Sequence, residues 1–516
     1  MSIGFGNNSR KSFPHQKDMP MKNKRFLLPP GYCLAAAFIT LLICSKSSPL
    51  YPLNDWVDAN TYLTVGRGML HGRLPYRDLY EQKGPLLYML HAGAAAVSER
   101  SFLGVFIIEV IACTAFLYEA SVLFSSSGSK SRLWLVTVIS GAVYASRAFC
   151  HGDSAEELCL PLTLGAYMLG LAAVRGKRPL SGREWFTLGI LGGAVLWIKF
   201  TLTGIFAAPA AAGIYYALRQ SRGGGLVRGL SLCVLGAAAA SLPVITYFAV
   251  NGALDDLFSV YFYDNIFRYG GTDGGFPANL GDGLNFCRIF MPLPSLIICA
   301  GLVLIPLREG KASALYFTGA FTAAAAAAFG GHASYQYYPL AAAVFVPHAL
   351  TAASGCIKPV RSLPRYLPAA VCSGGLILCG LWCSLTSRNV YLMKYSRSEL
   401  PQYRFAEIVR ENGGGSLLNY GFIDGGFYLA AGQIPEFRYF CLNNMDIPEM
   451  RAAQEHYISS GRAKFAVMRS ASQYPEYIPE GFSLISTSKM CYYDKLFYYF
   501  LFICNENDKT NTPAIE

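Results

Sequence analysis

Long apolar runs bounded by charged or turn-forming residues recur along most of this chain, and they set its expected architecture. They lie near residues 30–45, 102–124, 133–148, 158–174, 185–198, 201–218, 229–250, 287–307, 312–330, 337–353 and 366–385. A helix that crosses a bilayer needs about 20 mostly apolar residues. The pattern therefore predicts about eleven transmembrane helices, several of them short. Beyond Leu385 the pattern changes to a polar, tyrosine-rich and turn-rich one. There "PQYRFAEIVREN" and "MDIPEMRAAQEHYISSG" read as helices, and "SLLNYGF" and "KFAVMR" as strands. The closing "MCYYDKLFYYFLFIC" is aromatic and β-like, interrupted by Asp494 and Lys495. The expected fold class is mainly α: a polytopic membrane region over 1–385, then a small α/β domain over 386–516.

Composition agrees with that reading. Of 516 residues, 53% are hydrophobic and 15% charged, against about 25% charged in ordinary soluble domains. The 15 cysteines are scattered and mostly lie inside apolar runs, where a thiol behaves as a small hydrophobe. No paired CxxC motifs indicate a zinc ribbon or a disulfide framework. The basic leader before the first apolar run lacks a small-residue cleavage site, which predicts an uncleaved first helix.

The net charge of +11 would suit nucleic acid, but its placement points elsewhere. With the N-terminus inside, the predicted cytoplasmic segments hold twenty bases against the three acids Asp18, Glu184 and Glu309. The bases include Lys130, Arg132, Lys177, Arg219, Lys311 and Arg361. This is the positive-inside bias of a plasma-membrane protein, with no nucleic-acid partner implied. It places residues 46–101, 150–157, 251–285, 331–336 and the C-terminal domain outside the cell. "GPLLYMLHAGAAAV" (84–97) is too short to span convincingly, and a span there would move Lys130 and Arg132 outside. It is expected to lie along or dip into the outer membrane face.

Candidate chemistry gathers in the first two outer loops. Asp55 and Asp58 stand three residues apart beside the first span, on one face if that piece is helical. A carboxylate at a membrane rim serves as a general base, a metal ligand or a solvated loop charge. The neighbouring rings, the later "KGPLLY" and a second acidic loop, "CHGDSAEELCLP", weigh against the last option.

These residues resemble the membrane-embedded GT-C glycosyltransferases, the group of protein O-mannosyltransferases and lipid A aminoarabinose transferases. The family's first outer loop reads Asp-Glu-x-x-Tyr, a Gly-containing spacer, then Lys-Pro-Pro-Leu-x-Tyr. Here "DANTY" supplies Asp58 and Tyr62, "MLHG" supplies Gly72, and "KGPLLY" supplies Lys83, Pro85, Leu86 and Tyr88. Ala59 replaces the family's glutamate and Gly84 its first proline, a form closer to an uncharacterised bacterial branch. The resemblance implies transfer of a sugar from a polyprenyl-phosphate-linked donor to a cell-envelope glycan, lipid or protein at the outer face. It makes Asp58 the general base for the acceptor hydroxyl and Lys83 the contact to the donor phosphate. An interface lysine reaching for water is the alternative for Lys83.

In the second loop, Asp153, Glu156 and Glu157 meet the family's expectation of an acid near the acceptor or a metal. They equally suit the positive end of the helix they open, with Asp153 or Ser154 as cap. Tyr62, Tyr88 and Asp55 join them as candidate acceptor or sugar contacts. The glycine-rich stretch 251–285 reads either as a lid over the sugar or as a plain connector. Its candidate contacts are Tyr263 and Asn265 for sugar and Arg268 for phosphate. No cofactor is required by any motif. A divalent metal between Asp58, His151, Asp153 and His332 is conceivable but has no spacing rule behind it. Lys199, in "WIKFT", reads as a phosphate contact or, in preference, as a residue reaching water. The rival function is a non-catalytic polysaccharide transporter or flippase, whose charges should line a path in mid-span. Here only Glu109 and Glu119 stand in mid-span.

Overall fold

The computed structural model describes residues 30–124, 129–220, 223–269, 274–331, 334–354, 367–445, 447–493 and 495–505. It is a helical bundle carrying a four-stranded sheet at one end. The first segments are α1 (Pro30–Cys44), α2 (Val57–Leu70) and α3 (Pro85–Val97), followed by α4 (Leu103–Leu123) and α5 (Ser129–Tyr144). Then come α6 (Ala155–Gly176), α7 (Gly182–Lys199), a 3-10 turn Phe200–Phe206, α8 (Ala207–Arg219) and α9 (Gly223–Val250). Serine caps open two of them: Ser154 accepts from the Glu157 amide, and Ser181 forms a capping box with Glu184.

Each expected apolar run proves helical where it is described. By length and composition six helical stretches suffice to cross a membrane: Leu103–Leu123, Ala155–Gly176, Gly182–Arg219, Gly223–Val250, Pro292–Glu309 and Lys311–Phe329. The third is a hairpin: a Cβ on Gly213 in α8 would meet Trp185 near the start of α7, and Gln220 donates to the carbonyl of Lys177. Pro30–Cys44, Arg132–Tyr144 and Tyr338–Ser354 are shorter apolar helices, and Ser373–Thr386 continues into Arg388–Lys394 across an 83° bend.

Within 251–285 most of the described residues are helical. A short α10 (Leu254–Asp256) runs into a π-helix, Leu257–Arg268, and α11 (Gly275–Phe290) follows. Buried Leu257, Val260 and Tyr261 anchor the π-helix to the bundle. Then α12 (Pro292–Glu309) and α13 (Lys311–Phe329) lead to a 3-10 segment, Tyr338–Phe345, continued as α14 (Val346–Ser354). After α15 (Leu367–Thr386) the chain builds α16 (Pro401–Glu411), β1 (Leu417–Asn419), α17 (Phe427–Ala431), α18 (Pro448–Ser459), β2 (Phe465–Ser470), β3 (Phe482–Tyr492) and β4 (Lys495–Cys504).

The strand order is β1-β2-β4-β3, with β1 parallel to β2 and the other pairs antiparallel. Alternation along the strands gives the sheet two apolar faces. Phe465, Val467, Tyr499 and Leu501 join the core shared with the bundle. Ala466, Met468, Phe500 and Phe502 pack with Tyr457 and Ile458 of α18.

The two ends of the bundle differ in charge. One end gathers Arg175, Lys177, Arg178, Arg183, Arg219 and Lys311, tied together by the Arg175–Glu309 pair at 2.8 Å. The other end carries α2, α3 and the sheet. Both ends of α3 stay there. A Cβ on Gly84 before α3 would strike the Trp197 and Ile198 carbonyls at the end of α7. Ala94 near its close meets Gly104 in the first turn of α4. A helix that enters and leaves at one end supports the non-spanning reading of 84–97.

Candidate active site

The site grows from the first turn of α2. Asp58 and Tyr62 are four residues apart on the helix, so their side chains meet on one face. The Tyr62 hydroxyl donates to Asp58 Oδ2 at 3.3 Å, and Tyr337, from just before the 3-10 segment, donates to the same oxygen at 3.2 Å. Lys83 Nζ lies 3.8 Å from that oxygen. Trp56 packs edge-on against both tyrosines, with centroids 6.3 and 5.2 Å away.

Lys83 is aimed by its own loop. Its backbone amide donates to Glu81 and to the Tyr88 hydroxyl, and Tyr88 in turn donates to Glu81. Gly84 is extended, and Pro85 takes the first position of α3, where a missing N–H costs nothing. Gly84 is required by the close approach of the α7 carbonyls, which leaves no room for a side chain or ring. Burial opposes the charge of Lys83, but the carboxylates of Asp58, Glu81 and Glu156 outweigh it and hold the ammonium above its usual range. Lys83 therefore stays a cation.

A second lysine joins from α7. Lys199 Nζ is 2.5 Å from Glu156 and stands 3.8 Å over the Tyr338 ring. It is 9% exposed, so the expectation that it reaches water is corrected: a buried carboxylate and a ring satisfy it instead. Glu156 thus belongs to the Asp58 neighbourhood, and its field acts on Tyr62, Lys83 and Tyr337.

Asp153 and Glu157 are placed differently. Asp153 binds His91 Nε2 at 3.0 Å, and its backbone amide donates to both Glu109 and Glu157, at 2.8 and 2.9 Å. Asp55 is buried on Lys46, 2.6 Å away, and also accepts from Tyr391 at 3.0 Å. From the π-helix, Asn265 donates to the Gln82 carbonyl at 2.6 Å and so ties that helix to the Lys83 loop. Arg268 pairs with Asp264 at 3.4 Å, and Asp264 accepts from Tyr80. Tyr263 packs against Phe267 with the rings tilted at 44°, and is 53% exposed.

The conceived metal set is not assembled. Among the described residues no three His, Cys, Asp or Glu side chains converge as ligands. Both His151 nitrogens are engaged, Nδ1 with Cys150 and Nε2 with the Tyr492 hydroxyl at 2.7 Å. Burial and the Lys46 charge push its pKa well below the usual histidine value. His332 lies outside the described residues.

Sequence reasoning missed Tyr337, Tyr338, Lys46, Glu81, Tyr391 and Tyr492. The doublet in "QYYPL", and a lysine at the exit of the first apolar run, were the available signals.

No family model matches this chain, and no curated protein does. Two solved structures share its fold across nearly the whole chain. One is ArnT from Cupriavidus metallidurans bound to undecaprenyl phosphate: TM-score 0.57, 12% identity, 92% of this chain and 98% of that one covered. The other is the same protein in the apo state: TM-score 0.55, 13% identity, with 94% and 98% covered. ArnT is a lipid A aminoarabinose transferase, a GT-C enzyme, so the expected resemblance holds at the level of the fold.

Proposed function

We propose that this protein is a GT-C-type glycosyltransferase that moves a sugar from a polyprenyl-phosphate carrier to a cell-envelope acceptor. The observation that carries the reading is the Asp58–Lys83 pair: a carboxylate with one oxygen held by two tyrosine hydroxyls, 3.8 Å from a partly buried cation. That pair sits at one end of a bundle whose fold, in ArnT, is seen with undecaprenyl phosphate.

Asp58 takes the proton of the acceptor hydroxyl as that oxygen attacks the anomeric carbon. The bond from that carbon to the phosphate oxygen breaks, and the configuration inverts. The phosphate leaves with an added negative charge, which Lys83 faces. Tyr62 and Tyr337 fix the orientation of the base. Glu156 and Lys199 complete the polar wall, and Asn265 steadies the Lys83 loop.

The bundle, residues 1–385, is the catalytic domain in this reading, and 386–516 is an extracytoplasmic domain of a multi-pass plasma-membrane protein. The segregation of bases to the end opposite Asp58 supports that orientation. Cysteines introduced at Lys177 and at Arg410 test it: an impermeant reagent added to intact cells should label only the second.

The activity test is transfer of labelled sugar in membranes enriched in each variant. Asp58→Asn should be inactive while still binding polyprenyl phosphate. Asp78→Asn is the control, since Asp78 is a nearby acid whose contact is to the Leu74 amide of its own turn. An active Asp58→Asn protein would end the proposal.

A further inference from the structure

The Lys46–Asp55 pair lies outside the group of side chains around Asp58, yet it is among the most deeply buried charges described. Lys46 is 1% exposed and Asp55 5%. Besides Asp55, the ammonium touches the Tyr391 hydroxyl at 3.2 Å and stands 4.8–5.4 Å from the ring centres of Tyr391, Tyr492 and Tyr493. Tyr492 and Tyr493 form the tip of the β3–β4 hairpin, and Tyr493 holds a left-handed backbone (φ 52°) that a tyrosine rarely adopts. Such a conformation persists where surrounding contacts over-determine it. Here Tyr493 donates to Asn389, which itself donates to the carbonyls of Cys44 and Cys150.

From that tip a short series of contacts reaches the base. The Tyr492 hydroxyl hydrogen-bonds with His151 Nε2, and His151 lies nearly parallel to Trp56, with centroids 5.5 Å apart and planes at 15°. Trp56 abuts Tyr62 and Tyr337, the two donors to Asp58 Oδ2. Asp55 and Asp58 flank Trp56 in sequence, so fixing one side of this turn fixes the other.

We propose that the hairpin tip and Tyr391 clamp the Lys46–Asp55 pair, and that this clamp holds Trp56 and thereby the carboxylate of Asp58 in its working position. The inference rests on the reading of Asp58 as the base. It makes Lys46, Asp55 and Tyr492 positioning residues, and it gives the C-terminal sheet a role in the reaction without substrate contact. A buried ion pair of this kind contributes geometry more than net stability, because desolvation offsets much of its attraction. The order it imposes matters because a misplacement of about 1 Å at a reacting group lowers rate roughly a hundredfold.

Tyr492→Phe removes one hydroxyl and keeps every ring. Turnover should fall about tenfold, with KM for the lipid-linked sugar unchanged. Lys46→Met with Asp55→Leu removes both charges together, so that no lone buried charge impairs folding. That double variant should remain folded, with turnover reduced at least as much. A readout independent of chemistry is thiol labelling at Asp58→Cys, a position 6% exposed in the native protein. In either clamp-deficient background a maleimide should react about tenfold faster there than in the Asp58→Cys parent. Normal turnover accompanied by a lower melting temperature, or unchanged labelling rates, would overturn the clamp. A native protein that transfers no sugar would sink the glycosyltransferase reading instead, and labelling would then decide the clamp alone.

Discussion

Asp58 and Asp153 stand on separate loops at the same end of the bundle, and their surroundings have little in common. Asp58 meets two hydroxyl donors and a lysine, all aimed at one oxygen. Asp153 is 1% exposed, pairs with His91, and gives its backbone amide to two further carboxylates. The preceding Gly152 and Asp153 itself both have positive φ, 86° and 66°, and a Cβ on Gly152 would collide with Ser45 and Glu109. The first arrangement supports a carboxylate that is 6% exposed. The second consumes its charges in fixing a turn against α4. Identical side chains are thus held in different ways: Asp58 by a lysine and two hydroxyls at one oxygen, Asp153 by a histidine within a turn that also engages Glu109 and Glu157.

The largest expected effect breaks that comparison at its reactive half. Asp58→Asn should lower transfer by on the order of a hundred- to ten-thousand-fold, with the melting temperature little changed. Lys83→Ala comes next: turnover and affinity for polyprenyl phosphate should fall together, each by tenfold or more, because the leaving phosphate loses its cation. At the structural half, Asp153→Ala should cost about 3–5 kcal/mol of stability by stranding a buried partner. Its folded fraction should keep turnover within a few-fold of normal. Chemical denaturation beside a transfer assay separates the two outcomes.

The smallest effect is one of pH. Burial opposes a charge on His91, but Asp153 and its hydrogen bond overcome that and raise the imidazole above its usual value. A raised folded pKa stabilises fully below the unfolded value of about 6.5 and loses that contribution as pH climbs through the folded value. The melting temperature should therefore decline on moving alkaline from about pH 6.5, and His91→Phe should flatten the slope. A slope that survives the substitution would detach His91 from the second arrangement.

Much of the bundle was legible because bilayer thickness imposes run lengths that a chain cannot disguise. Strands β1, β2 and β4 were legible for a related reason, since "KFAVMR" and the aromatic closing run alternate or persist as buried strands do. Strand β3 was missed over residues 482–489. Lys495, which looked like an interruption, opens β4 opposite Tyr492. The helix over Leu257–Arg268 was not anticipated because the glycines and aspartates around it resemble loop composition, whereas the apolar positions Leu257, Val260 and Tyr261 pack it against the bundle. The site was only half legible. Asp58, Tyr62 and Lys83 sit close in sequence, in a recognisable order. Tyr337 reaches Asp58 across 279 positions and Tyr391 reaches Lys46 across 345, separations at which no local pattern carries information.

That last separation has a consequence for synthesis. The ribosome adds about 5–20 residues per second, so tens of seconds pass between the emergence of Lys46 and that of Tyr391. The Tyr492–Tyr493 tip follows later still. Until the tip docks, Lys46 and Asp55 lack their enclosing rings, and under the proposed clamp Asp58 is not yet held in place. Chain completion would then act as a timer, with slower turnover in any unfinished or C-terminally truncated molecule.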